Sequence, residues 1–141
     1  MKFNKIVALA LALVMVFALC ACGGGDKGTA DNGEKVVKIG VFEPSTGDSA
    51  SGGKKEMLGM QYANSETPTV TVGGQEYQIQ LVYADNGSST DKALTAATQL
   101  VSEGVSLVLG SYGSGVSIAA GPTFDEAGLA AMGCLLYTSD A

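Results

Sequence analysis

Histidine, arginine and tryptophan are all missing from this chain of 141 residues, and the first two absences each remove a class of function. Without histidine the commonest general base and metal ligand is gone, and neither a Ser-His-Asp nor a Cys-His site can be built. Without arginine, and with the lysines scattered, no basic stripe exists to hold phosphates, so nucleic-acid binding is not expected. The formal charge is −6 at pH 7, which points the same way. Cysteine is scarce as well: Cys20, Cys22 and Cys134 are the three in the chain. Two of them fall in the N-terminal segment, which leaves Cys134 alone and excludes an internal disulfide framework. No cofactor and no metal site is expected. The length leaves room for one small domain.

What is present begins with an export signal. Lys2 and Lys5 precede an unbroken apolar run over residues 6–19, and Leu19-Cys20-Ala21-Cys22 leads into Gly23-Gly24-Gly25. Basic, apolar and small-residue segments in that order mark a targeting segment rather than mature structure. The pattern looks like a bacterial lipoprotein signal covering residues 1–21, with Cys22 as the lipidated first residue of the mature protein. A membrane-spanning helix is the competing reading, but a span takes about 20 apolar residues and this run is shorter. Cys20 competes as the lipid site; bulky Leu19 before it and small Ala21 before Cys22 favour Cys22. Acylation adds about 0.8 kcal/mol of membrane affinity per buried CH₂, and more than one chain is needed for stable anchoring. The expected place of work is the outer face of the cell membrane.

Residues 22–35 read as a flexible linker, polar and without apolar period. Residues 36–42 then form a β-branched run expected to be a buried strand, ended by Pro44 and Gly47. Residues 54–64 suggest a helix with Met57, Met60 and Ala63 on one side. Residues 69–81 suggest a hairpin around Gly73-Gly74 whose second strand continues to Tyr83, with Asp85-Asn86-Gly87 as the closing turn. Thr90 is expected to cap a helix that presents Ala93, Ala97, Leu100 and Val101, with Gly104 at its end. Residues 105–109 are a continuous apolar strand, and Gly110 to Gly115 a tight loop. A further helix over residues 116–127 has Ala119, Ala120, Phe124 and Ala127 expected inward, Pro122 inside it and Gly128 as its stop. Residues 129–132 begin a fourth main strand. This β-α-β-α-β-α-β order predicts an α/β fold, a parallel sheet with helices on both faces. Ligands of such sheets bind at the carboxyl ends of the strands, where the strand order reverses. Residues 43–53 and 110–114 lie there.

Ile39-Gly40-Val41, Pro44-Ser45-Thr46-Gly47, Ala50, Gly53 and Gly59 resemble the opening of periplasmic binding proteins of the type 1 fold. Asp85, Ala93, Leu100, residues 110–114 and Ala119-Ala120 continue the resemblance, which runs from about Val37 to Gly133. The branched-chain amino acid and amide binders of ABC importers are the most similar group. The resemblance implies that residues 36–133 are a partial lobe one, an incomplete three-layer sheet, of a two-lobed receptor that closes on its ligand. The receptor is then a monomer serving ABC permease subunits, not an enzyme. It implies ligand contacts from Ser114, which takes the amino-acid backbone, and from Gly113, Tyr112 and Thr46. A helix N-terminus favours a carboxylate there. Two bland readings stand beside these: Ser114 as no more than a helix cap, and Tyr112 as a cover for the sheet edge. In the aliphatic amino acid binders an aromatic residue often precedes the glycine matched by Gly53; here that residue is Gly52. Glu43 has two readings, a contact to a polar ligand and, the commoner one, an exposed acid beside the Pro44 turn.

Two other functions compete with this one. A nucleotide-dependent enzyme would use the 110–115 loop, but its order is G-x-x-G-x-G with no following lysine, and there is no G-x-S-x-G elbow. A sensor domain of the same fold would feed a receptor; the lipoprotein signal favours a tethered free module instead. Finally, residues 134–141 (Cys134-Leu135-Leu136-Tyr137-Thr138-Ser139-Asp140-Ala141) break the pattern. They resemble a translated transposon mosaic-end adapter from sequencing-library preparation, TGT-CTC-TTA-TAC-ACA-TCT-GAC-GC read in frame, and are expected to be a non-native tail. The competing reading is a genuine strand over residues 135–138.

Overall fold

The computed structural model describes residues 35–133. The chain divides into two units, Met1–Gly33 and Glu34–Ala141, and the described residues belong to the second. The signal, Cys22, almost all of the linker and the tail from Cys134 lie outside the described residues.

Strand β1, Val36–Glu43, is the centre of a five-stranded sheet. Helix α1, Ala50–Glu66, follows, and then the hairpin of β2, Thr69–Val72, and β3, Gln75–Asp85. Helix α2, Thr90–Ser102, leads to the short strand β4, Leu107–Leu109; helix α3, Ser114–Glu126, leads to β5, Ala131–Met132. The strand order is β2-β3-β1-β4-β5. β1 runs parallel to β3 and to β4, and β4 parallel to β5; only β2 is antiparallel, paired with β3 at one edge. The expected parallel sheet is therefore present with one antiparallel edge strand added by the hairpin. Gly73 and Gly74 make its turn with φ of +59° and +78°, a left-handed pair that only glycine adopts cheaply.

Alternation along the strands sorts side chains to two faces. Phe42, Ala84 and Val108 face α2 and α3 and join Ala93, Ala96, Ala97, Leu100, Val116, Ala120 and Phe124 in one buried cluster. The Phe42 and Phe124 rings meet edge to face, centroids 5.4 Å apart. Small alanines on α2 let it lie close to the sheet, and Gly40 of β1 leaves the space that Leu100 fills: a Cβ there would sit 3.2 Å from Leu100 Cδ1. The opposite face carries Ile39, Ile79, Leu81 and Leu109. Helix α1 lies on this side, with Gln61 Nε2 donating to the Tyr83 hydroxyl at 3.1 Å. Between α1 and these strands an apolar groove of about 550 Å³ is left open.

Several element ends differ from expectation, each for a local reason. Helix α1 starts at Ala50 rather than at residue 54, because Ala50 N–H donates to Gly47 O and Gly52 and Gly53 N–H to Ser49 O. Gly53 is inside this first turn because a Cβ there would meet Pro44 O at 2.3 Å. The cap of α2 is Ser89, not Thr90: its hydroxyl accepts from Asp91 N at 3.2 Å. Val105 belongs to the helix-to-strand turn, its N–H donating to Leu100 O. Ala127 is exposed, and Ala119 only partly buried. Helix α3 runs through Pro122; the carbonyl deprived of its donor is that of Ile118, a residue 66% exposed.

Candidate ligand site at the strand ends

The chain leaves β1 toward β3 on one side and later returns to β4 on the other, so the strand order reverses at β1. The loops that follow β1 and β4, residues 44–49 and 110–113, therefore diverge at the carboxyl edge of the sheet, the place where open α/β sheets bind ligands.

The first loop is held by Asp85, the register partner of Glu43. Asp85 Oδ1 accepts from the N–H groups of Ser45 (2.8 Å), Thr46 (3.2 Å) and Gly87 (2.9 Å), and Oδ2 accepts from the Thr46 hydroxyl at 2.6 Å. Burial raises the Asp85 carboxyl, but these donated hydrogens outweigh it and hold the group well below the usual carboxylate range. Ser88 adds a second tie, its hydroxyl donating to Thr46 O at 3.1 Å and accepting from Ser49 N at 2.9 Å. Gly47 has φ +83° and lies against Gly87, whose carbonyl oxygen a Cβ would meet at 2.2 Å. Beneath, Asn86 is fully buried and donates to Phe42 O at 3.0 Å. Thr46 itself is exposed at the edge, with its hydroxyl committed to Asp85.

The second loop is built on serines and one glutamate. Ser111 Oγ accepts from Gly113 N at 3.0 Å and donates to Gly113 O at 3.1 Å, while Ser111 N donates to Ser117 Oγ at 3.1 Å. The Gly113 carbonyl accepts from Val116 and Ser117 N–H, which makes Gly113 the N-cap of α3. Ser114 is the first helical residue, one place past the cap, and partly buried. Tyr112 N donates to Glu43 Oε2 at 2.9 Å.

Glu43 corrects the sequence reading. It is not an exposed acid but 1% exposed, seated under the second loop. Gly110 exists without a side chain for this reason: a Cβ there would lie 2.4 Å from Glu43 Oε1. Burial, opposed by the Tyr112 N–H and reinforced by the neighbouring Glu56 carboxyl, pushes the Glu43 carboxyl up to about 8. The sequence offered one signal for it, an acid placed where an apolar β1 residue belongs, and that signal was misread.

Tyr112 of the second loop meets Gly52 in the first turn of α1. A Cβ on Gly52 would lie 2.5 Å from Tyr112 Cε2 and 2.6 Å from Cζ, so the ring occupies the space a side chain at 52 would take. The ring is 38% exposed. The structure thus places Tyr112, Gly113 and Ser114 at the end of β4, with the Tyr112 ring against the first turn of α1, and Thr46 on the loop that follows β1. The larger apolar groove under α1 is not this site. Its wall is mostly aliphatic, with no convergent donors beside Asn64, Thr67 and Glu56. Among the described residues, no three His, Cys, Asp or Glu side chains are placed to hold a metal ion.

Residues 36–141 match the model of a family described as periplasmic binding protein. A Leu/Ile/Val-binding protein homolog 2 from Brucella abortus (strain 2308) is 33% identical over 116 residues, which are 82% of this chain and 29% of that protein. An amino acid binding protein from Pseudomonas aeruginosa PAO1 is 34% identical over 97 residues, 68% of this chain and 26% of that one. Among solved structures, a leucine binding protein LivK from Thermotoga maritima superposes with a TM-score of 0.63 at 30% identity, covering 70% of this chain and 27% of that chain. The branched-chain amino acid transporter substrate binding protein LivJ from Streptococcus pneumoniae, solved with isoleucine, gives 0.62 at 31% identity, with 70% and 28% covered. The chain spans less than a third of the length of these relatives.

Proposed function

Because this chain belongs to the periplasmic binding protein family, we propose that it is part of lobe one of a solute-binding lipoprotein that captures an amino acid, branched-chain or a related amide, for an ABC importer. The relatives are solute-binding proteins rather than enzymes, and nothing in this reading requires a bond to break. Family membership implies work outside the cytoplasm. The finer parts of the proposal are a lipid anchor at Cys22, closure of a second lobe over the ligand, a monomeric receptor and delivery to ABC permease subunits.

The observation that carries the reading is the pair of pinned loops at the strand-order reversal, with the N-terminus of α3 following directly on the second of them. In this role Ser114 and the first turn of α3 take the ligand carboxylate, since a helix N-terminus presents N–H donors and favours negative charge. Gly113 keeps the approach clear, Tyr112 walls the side-chain end, and Thr46 borders the mouth. Pinning matters because ordering a loop on binding consumes affinity; a loop already held by Asp85 or Glu43 loses less.

The test is calorimetric titration of leucine, isoleucine, valine and related amides into the full-length protein and its Ser114→Ala variant. A hydrogen bond to a charged group contributes about 1.5–3 kcal/mol, so the variant is expected to bind roughly 10- to 100-fold more weakly. Equal affinity in both proteins overturns the assignment of Ser114, and no binding of any amino acid or amide overturns the reading.

A further inference from the structure

We propose that Glu43 is a positioning residue for the 110–113 loop, and that it acts as one half of a carboxyl pair with Glu56 of α1 which holds a single proton beneath that loop. The inference rests on the reading above for what the loop binds.

Glu43 has two oxygens with different fates. Oε2 accepts the Tyr112 N–H at 2.9 Å. Oε1 is buried and receives no hydrogen. Across from it, Glu56 Oε2 is likewise buried and receives none. Two orphan acceptors would each be costly, and the Glu56 carboxyl is near enough to Glu43 to help raise its proton affinity. A proton between them gives both sides a partner, and two carboxylates this close cannot both ionise without strong repulsion. The surroundings offer no other neutraliser. From α1 comes Glu56 alone. From β3 comes Asp85, whose oxygens are taken by Ser45, Thr46 and Gly87. From the loop come the Tyr112 N–H and a phenol ring that lies over Gly52. Among the described residues no cation pairs with either carboxyl.

The pair therefore links three elements: the end of β1, the second turn of α1 and the ligand loop. Burial, together with the charge of Glu56, keeps the proton bound into the mildly alkaline range, near 8. When it leaves, two negative charges push α1 away from the end of β1, and the Tyr112 ring that rests on Gly52 of α1 loses its support while its N–H stays on Glu43.

The experiment follows the Tyr112 amide resonance of the full-length protein from about pH 6 to about pH 9.5, with leucine affinity measured over the same range. In the unaltered protein the resonance is expected to titrate with a midpoint near 8, and affinity to fall about fivefold or more across that step. In Glu56→Gln, whose amide donates a hydrogen at every pH, the step is expected to vanish from both readouts. Glu43→Gln should lose the step as well, and if that buried change prevents folding, the partly exposed Glu56 variant still decides. A Tyr112 resonance that does not move over this range, or moves equally in Glu56→Gln, overturns the proposal. If no amino acid binds, the functional reading fails while the amide titration still decides the carboxyl pair.

Discussion

At Thr46 the hydroxyl donates to Asp85 at 2.6 Å, so this residue reaches the ligand site already engaged. Its loop is shaped by one carboxylate that gathers backbone hydrogens from Ser45, Thr46 and Gly87. Because the folded Asp85 is held below the ordinary carboxylate value of 3.8, its contribution to stability is present above that value and lost as pH falls through the depressed one. Urea midpoints measured from about pH 6 down to about pH 2 should fall in the unaltered protein and fall less steeply in Asp85→Asn. The Glu43 pair has the opposite sign. Its raised value means that the stability it contributes is complete below the ordinary 4.5 and declines as pH rises through about 8. At Gly52, replacement by alanine should leave folding nearly intact, since Tyr112 presents a flexible ring that can swing away. It should instead change the order of preference among amino acid ligands in a competition titration. The turn at Asp85-Asn86-Gly87 was readable from its own residues, whereas Asp85 reaching back 40 residues to Ser45 was not, because a local pattern says nothing about which distant N–H groups a carboxylate will collect. The burial of Glu43 was hidden for the same reason: its neighbours Glu56 and Tyr112 arrive from other elements.

Among the elements, α3 separates two roles that a serine at a helix start often combines. With Gly113 at the cap and Ser114 inside the helix, Ser114→Ala removes no capping side chain. Ligand affinity is expected to drop in this variant; a large stability loss with affinity unchanged would assign the hydroxyl to structure instead. Helix α2 is the counterpart in the core. Leu100 is fully buried against Gly40 and Val105, and Leu100→Ala is expected to cost about 2–5 kcal/mol in a denaturation series. The spacing of Ala93, Ala97 and Leu100 made this helix plain, and Gly104 its end, because periodicity and a C-terminal glycine are local signals. Element starts were less plain. The sequence suggests a helix over residues 54–64, yet α1 starts four residues earlier, and Gly53 lets it pass Pro44, a contact between elements.

For the molecule as a whole, β-α-β alternation was enough to place the sheet, the two helical layers and the reversal at β1, since few chain paths satisfy a parallel sheet. What the alternation did not reveal is the open groove of about 550 Å³ beneath α1, with Ile39, Ile79, Leu81 and Leu109 on its floor. An aliphatic surface left facing water favours association over solubility. On the proposed reading, in which residues 36–133 are part of lobe one of a longer receptor, the 141-residue chain expressed by itself is expected to aggregate on size exclusion, to bind an apolar dye and to show no ligand-dependent rise in melting temperature, whereas a two-lobed receptor should be monodisperse and stabilised by its ligand. A cooperative, ligand-stabilised transition in the short chain would contradict that expectation.

The Gly73-Gly74 turn has a practical consequence. It joins β2 to the start of β3, and since β3 runs parallel to β1, the turn lies at the edge of the sheet away from the two ligand loops. A Cβ on either glycine would meet nothing within 4 Å. This is where the chain can be opened to accept a foreign insert, such as a fluorophore attachment peptide or a second protein, with the binding loops left at their full distance from the graft. Under the proposed function, a sensor built on this chain would carry its reporter there.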